Sequence, residues 1–275
     1  MTEEQLTQAA RAWVQAERTG GKAVGLSQDI PQATVADAYA MQAATLRRQQ
    51  ELGEMPAGYK IAFTADALRE KFGLREPAVG YMLRKDLHPS GFPLAPHRWA
   101  GSRLEPEIAL RLRSDLCGRR DFTEAEVRRA VAGVRPAYEI VRGRVQSGGF
   151  SLPDMIGDNA SFGAAVLGGG WTPADALDLA AVRVTVTENG AAVAEGTGAG
   201  VMGDPVRALV WLANKLPELG GGLHAGDIVM TGSLTGQIPT RPGQEYVAAF
   251  SGLGEVRVRT EQPTPDTDEG KPYGI

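Results

Sequence analysis

The run Arg103 to Arg113, RLEPEIALRLR, restricts the fold more than any other stretch of the chain. Read at period two, Leu104, Pro106, Ile108, Leu110 and Leu112 share one side, and Glu105, Glu107, Ala109, Arg111 and Arg113 share the other. This alternation predicts a half-buried β-strand. It also sets two carboxylates on one face, with Cβ atoms about 7 Å apart, where they repel unless water or a cation lies between them. One reading is a solvated strand face whose acids are balanced by the nearby arginines. The other is a pair of oxygen ligands for a hard divalent cation, Mg²⁺ or Mn²⁺. Deciding between them needs a third ligand.

Other β-prone runs follow the same texture from Gly58 onward: GYKIAFT, VRVTVTENGAAVAEG, GDIVMTGSL and EYVAAFSGLGEVRVRT. Asn189-Gly190 sits between two such runs and reads as a tight hairpin turn, so the sheet is expected to be mostly antiparallel. Before Gly58 the signals are helical. Thr2 with Gln5 forms a capping box for a helix that ends near Gly20-Gly21, and Thr34 with Asp37 opens a second, closed by Gly53. A third capping box, Thr123 with Glu126, is stapled by Phe122 against Val127, and another helix follows Pro205. The expected organisation is a helical N-terminal region over residues 1–57, a β-rich body over 58–260 and a flexible, proline-rich and acidic tail over 261–275.

Composition excludes several classes. With 275 residues the chain can bury an enzyme-sized core, and a net charge of -4 with no basic run argues against nucleic acid as a partner. The single cysteine, Cys117, rules out an internal disulfide, and His88, His97 and His224 show no zinc-ligand spacing, so a metal must be held mainly by oxygen. No apolar run approaches about 18 residues, and the first twenty residues are charged rather than signal-like, so a cytoplasmic protein with no membrane partner is expected. The GAGVMG run over Gly198–Gly203 matches GxGxxG only literally. It follows a hairpin pattern and runs straight into Asp204-Pro205, which suits a loop entering a helix better than a dinucleotide site. GSLTG is not a nucleophile elbow, and Cys117 reads as a quiet structural or surface thiol.

Three further segments carry chemistry. Glu139 lies between Tyr138 and Ile140 in RPAYEIVRGR, and an acid flanked by apolar residues is costly to bury unless something such as a metal partners it. Lys60 sits among Tyr59, Ile61 and Phe63, a setting in which desolvation would depress its pKa towards a proton-transfer range; the alternative is a packed stem with its amine in water. IGDNASFGAAVLGG offers Asp158, Asn159 and Ser161 as a polar loop beside a pocket, or as a turn.

Taken in order, GYKI, the ExE pair, a lone glutamate about thirty residues later, DNAS, GDIVMTGSLT with a following glycine, and GLGEVRV closely resemble the 2-keto-4-pentenoate hydratase and 4-oxalocrotonate decarboxylase group of the fumarylacetoacetate hydrolase superfamily. The resemblance runs from about residue 5 to 260. It implies an α+β fold: a mixed, mainly antiparallel β-roll with a small helical N-terminal cap, commonly assembled as a homo-oligomer. By the same resemblance Glu105, Glu107 and Glu139 would bind Mg²⁺ or Mn²⁺, Lys60 would be catalytic, and Ser161, Thr231 and Ser233 would contact substrate. The implied activity is a hydratase of aromatic catabolism that adds water to a 2-hydroxy-2,4-dienoate, with a decarboxylase of a 4-oxalocrotonate-like acid as the alternative. Two positions pull apart here. Hydratases of the group usually carry an acid where this chain has Ala78, which favours the decarboxylase, whereas GSLTGQIPTRPG resembles hydratases of dicarboxylates and makes Arg241 a candidate charge partner. The superfamily's C–C hydrolases place a lysine after the metal glutamates, and no lysine lies between Lys85 and Lys215.

Overall fold

The computed structural model describes residues 1–146 and 151–263. Helices α1 (Glu3–Thr19) and α2 (Val35–Glu51) start on the two expected capping boxes, and α1 ends on a left-handed Gly20. Their apolar faces meet. Trp13 and Ala16 of α1 and Ala38 and Met41 of α2 form one cluster, which also takes in Ala78 and Ile156. Ala23–Val24 pairs in parallel with Val145–Gln146, so the helical region is laced to the rest of the chain by backbone hydrogen bonds. Much of the expected tail, residues 264–275, lies outside the described residues.

Ten strands make up most of two sheets. They are β1 (Pro56–Ala62), β2 (Ala78–Leu83), β3 (Arg103–Leu112), β4 (Val131–Val141), β5 (Phe162–Leu167), β6 (Arg183–Glu188), β7 (Ala191–Thr197), β8 (Ile228–Ser233), β9 (Glu245–Phe250) and β10 (Gly254–Thr260). The larger sheet runs β2-β1-β8-β3-β4-β5 and ends on the short strand Leu87–Pro89, and Ile238–Pro239 also pairs with β3. The smaller runs β7-β6-β9-β10 and ends on Phe92–Leu94. Pairing is antiparallel except for β1 with β8, Leu87–Pro89 with β5, and Phe92–Leu94 with β10. Asn189 and Gly190, with φ of 48° and 84°, turn β6 into β7 as the sequence suggests.

The sheets share one core. Leu104, Ile108 and Leu110 of β3 meet Val184 and Val186 of β6, Tyr246 of β9 and Val256 and Val258 of β10. The helix Pro205–Lys215 packs Val206, Leu209 and Leu212 into the same cluster, and full burial of each such side chain contributes about 1.5–3 kcal/mol. The run Gly198–Gly200 is a tight turn between β7 and that helix, and Asp204 caps the helix by accepting from the Val206 amide. Its glycines serve chain geometry, as read from sequence.

Strand β3 departs from expectation. It is buried on both faces at its centre, where Glu107, Ile108 and Ala109 are each fully inaccessible. The second face is covered by Met82, Ala137, Phe162, Ala165 and Met230, and its alanines at 109, 137 and 165 allow that close cover. The arginines downstream do not balance the glutamates: the Arg111 guanidinium stacks 4.7 Å from the Trp171 ring, and Arg113 Nε donates to the Val131 carbonyl. The solvated-face reading of RLEPEIALRLR therefore fails. No helix among the described residues is long and apolar enough to cross a membrane.

Candidate metal centre

Sheet register assembles the site. Glu105 of β3 stands opposite Glu139 of β4, and Glu107 lies two residues along the same face. Lys60 of β1 pairs with Met230 of β8, which pairs with Ala109 of β3, so Lys60 projects from the same face as the glutamates. Each of Glu105, Glu107 and Glu139 offers a carboxylate oxygen within 4.8 Å of the others. Glu107 and Glu139 are wholly buried and Glu105 is half-buried.

Such a trio is unfavourable alone. At about 5 Å and an effective dielectric of about 20, each pair of charges repels by about 3 kcal/mol. Burial and the charges of Glu139 and Glu105 hold the Glu107 carboxyl well above the usual carboxylate range. Burial likewise raises Glu139, although the Lys60 ammonium beside it pulls the other way. Gly232 N donates to Glu107 Oε2 at 2.7 Å, and Gln237 Nε2 donates to Glu105 Oε1 at 3.0 Å. Glu107 Oε1 and both oxygens of Glu139 accept no hydrogen bond from the described residues. Orphaned, buried and convergent carboxylate oxygens are the donor set a hard divalent cation prefers, and its charge would cancel the repulsion. The residues fit such an ion.

Lys60 is 2% exposed, and its Nζ lies 2.9 Å from Glu139 Oε1 as an ion pair off the line of a hydrogen bond. The same nitrogen donates to the Ala160 carbonyl at 2.8 Å. The expectation of a depressed pKa needs correction. Burial does push Lys60 down, but the nearby charges of Glu139, Glu105 and Glu107 outweigh it and hold the ammonium form above its usual range. The amine is not in water either, so both sequence readings of this lysine missed its ion pair.

The Ala160 carbonyl is aimed by an unusual turn. Asn159, Ala160 and Ser161 all have positive φ, at 49°, 51° and 57°, and each left-handed non-glycine residue costs about 1–2 kcal/mol. The surroundings impose it. The Asn159 side chain bonds both the amide and the carbonyl of Tyr81, and buried Asp158 pairs with Arg144 Nε at 2.7 Å. Two glycines complete the fit. A Cβ at Gly80 would meet the Asn159 carbonyl at 2.7 Å and the Lys60 stem at 3.0 Å, and one at Gly232, where φ is 110°, would meet Thr64 Oγ1 at 2.1 Å.

Above these groups opens a cavity of about 510 Å³ whose lining includes Lys60, Glu105, Ser161, Ser233, Arg103 and Lys71. Of the three residues expected at substrate, Ser161 and Ser233 reach it. Thr231 does not: it is fully buried, and its hydroxyl donates to the Ile108 carbonyl at 2.9 Å. Arg241 is turned away as well, paired with Glu188 next to the Tyr246 hydroxyl. Sequence reading passed over the Gly232 amide, the Ala160 carbonyl, Gln237, Arg103 and Lys71. The flanking glycines and the charge at Arg103 were visible, but nothing local says where they point. Cys117 is less isolated than expected, since Asp115 and His224 bring donor atoms within 4.8 Å of it, although all three are exposed and outside the cavity lining.

Comparison with known proteins agrees with this architecture. The chain is 32% identical over 261 residues to a 2-keto-4-pentenoate hydratase of Paraburkholderia xenovorans (strain LB400), covering 95% of this chain and 97% of that one. It is 31% identical over 234 residues to a 4-oxalocrotonate decarboxylase of Pseudomonas putida, covering 85% and 88%. A solved 4-oxalocrotonate decarboxylase from Pseudomonas putida G7, complexed with magnesium and adipate, superposes with a TM-score of 0.90 at 29% identity over 94% of this chain and 98% of that one. The family model for the C-terminal domain of fumarylacetoacetate (FAA) hydrolase matches residues 62–261, which include every residue of the carboxylate trio, and the chain belongs to that family.

Proposed function

We propose that the protein is a metal-dependent hydratase that adds water to a 2-hydroxy-2,4-dienoate to give a 4-hydroxy-2-oxo acid. The observation that carries the reading is the trio of Glu105 with buried Glu107 and Glu139 beside a buried lysine, with Glu105 and Lys60 lining an open cavity. Support comes from the 32% identity to a 2-keto-4-pentenoate hydratase over nearly the whole chain. The trio would hold Mg²⁺ or Mn²⁺, whose positive charge would stabilise negative charge developing on the oxygens of the acid.

The chain's own groups do the rest. Lys60, charged and desolvated, shuttles a proton between the 2-hydroxyl and carbon 5, which turns the dienol into a conjugated ketone. The Ala160 carbonyl and Glu139 hold its nitrogen in place for this task. Water then bonds to carbon 4 of that ketone while a proton reaches carbon 3. Ser161 and Ser233 present hydroxyls to the cavity and orient the acid within it. The reading includes a cytoplasmic, homo-oligomeric enzyme whose partner is this small acid.

A second reading is the decarboxylase. Ala78 favours it, because this position, buried in the cluster of Met41 and Ile156, supplies no acid beside the site. The deciding assay gives the enzyme 2-hydroxypenta-2,4-dienoate and 2-oxohex-3-enedioate separately with Mg²⁺ and identifies products by mass. Gain of water on the first supports the hydratase; loss of CO₂ from the second with the first untouched would replace it. Lys60→Ala is expected to keep its stabilisation by Mg²⁺ yet lose deuterium exchange at carbon 5, and retained exchange would reject the role given to Lys60.

A further inference from the structure

Resting on the hydratase reading, we propose that the acid hydrated here carries a second carboxylate, which Arg103 and Lys71 hold at the cavity mouth and keep on the substrate.

The charges at the site are the first argument. Around Lys60 and Glu105 in the cavity lining, the trio brings three carboxylates against one lysine, so a bound divalent cation brings that group to neutrality. A carboxylate at carbon 1 of the substrate adds one negative charge. Arg103 and Lys71 line the same cavity, and neither has a carboxylate partner among the described residues. Two cations therefore face a space where that group is already balanced, and a second anionic group on the substrate is their natural counterpart.

Distance is the second. Arg103 lies two residues before Glu105 on the same face of β3, a separation of about 7 Å along the strand. A six-carbon chain with bonds of about 1.5 Å reaches roughly 6 Å end to end. Arg103 is also held in place. Its Nη1 donates to Gln237 Oε1 at 3.0 Å, and the same amide donates through Nε2 to Glu105 Oε1 at 3.0 Å. One glutamine thus ties the guanidinium to a member of the carboxylate trio and leaves its other N–H groups for an anion. On the other side, helix α3 (Asp66–Phe72) contributes Leu68 and Phe72 as an apolar wall for the carbon chain and Lys71 as a second charge.

The contact also selects the reaction. An ion pair to the far carboxylate stabilises the ground state and is lost as CO₂ departs, so it raises the barrier to decarboxylation. Hydration breaks only the carbon 3 to carbon 4 π bond, with oxygen bonding to carbon 4 and a proton to carbon 3, and both carboxylates stay on the chain. Arg103 is thereby a specificity residue that favours adding water over losing CO₂.

A matched pair of acids tests this. With Mg²⁺, 2-oxohex-3-enedioate and 2-oxohex-3-enoate differ only in the terminal carboxylate. The diacid is expected to gain water with kcat/KM at least about tenfold above the monoacid, and Arg103→Met is expected to collapse that ratio mainly through KM, with partial recovery in Arg103→Lys. Equal rates for the two acids, an unchanged ratio in Arg103→Met, or loss of CO₂ from the diacid would overturn the proposal. Hexanedioate against hexanoate gives a readout that needs no turnover: the dianion should raise Tm more, and Arg103→Met should abolish the difference. If neither oxo acid gains water the hydratase reading fails, and equal Tm shifts would show that the anion site fails with it.

Discussion

Replacing Glu107 by glutamine tests the metal centre without relying on any assay of turnover. The substitution keeps shape, and the side-chain oxygen can still accept from Gly232 N, now at 2.7 Å from Oε2. What disappears is one negative charge among oxygens within 4.8 Å of each other. Each charge pair costs about 3 kcal/mol at an effective dielectric of about 20; loss of the Glu107 charge relieves two such pairs, with Glu105 and Glu139, and gives up an attraction of similar size to Lys60, and because burial already favours the neutral form of Glu107, the net of about 3 kcal/mol is an upper bound on the relief. In EDTA at pH 8, Glu107→Gln should therefore be more stable than the parent by up to about 3 kcal/mol. For a chain of 275 residues, 1 kcal/mol corresponds to about 2 °C, so Tm should rise by up to about 6 °C. Saturating Mg²⁺ should reverse the order. The parent gains about 3 kcal/mol at a hundredfold excess over Kd, whereas the variant has lost a ligand and gains little. Differential scanning calorimetry of both proteins with EDTA and with Mg²⁺ reads all four states. A lower Tm for the variant in EDTA, together with an equal response to Mg²⁺, would refute the assignment of the trio.

Two further perturbations probe other parts of the molecule. Thr231→Val should cost about 1 kcal/mol of stability through its hydrogen bond to the Ile108 carbonyl while leaving KM near the parent value, and a tenfold rise in KM would return Thr231 to the substrate site. Asp86, chiefly through burial, has its pKa raised to about 7, so the folded state binds more protons than the unfolded chain between about pH 4 and 7, and stability falls as pH rises through that window. Asp86→Asn should remove that slope and raise Tm at pH 8, by as much as about 4 kcal/mol in stability; parallel Tm curves for the two proteins across pH 4 to 8 would contradict it.

Legibility from sequence followed range. The capping boxes at Thr2, Thr34 and Thr123 and the Asn189-Gly190 turn were readable because each is decided within four residues by hydrogen bonds the chain makes with itself. The ExE spacing was readable for the same reason. The burial of β3 on both faces was not, since its second cover comes from Met82, Phe162 and Met230, residues far apart in the chain. Thr231 and Arg241 show the converse error. Both sit in segments whose pattern suggested substrate contact, yet backbone register turns Thr231 into the core and Glu188 draws Arg241 aside.

The state of Lys60 depends on that same long-range assembly. Its local neighbours, Tyr59 and Ile61, argue for a neutral amine, and desolvation is indeed the largest single influence on it. Three carboxylates brought from β3 and β4 together reverse the outcome. The lysine and the trio therefore form one electrostatic unit: Lys60 offsets part of the repulsion at Glu139, and Glu139 keeps Lys60 charged although its side chain is almost wholly buried. A divalent cation in the trio would compete with Lys60 for Glu139 and weaken the hold on the ammonium proton. Metal binding and the readiness of Lys60 to give up a proton are thus coupled through Glu139. The left-handed turn that aims the Ala160 carbonyl then supplies the contact that keeps Nζ in place as that charge is shared.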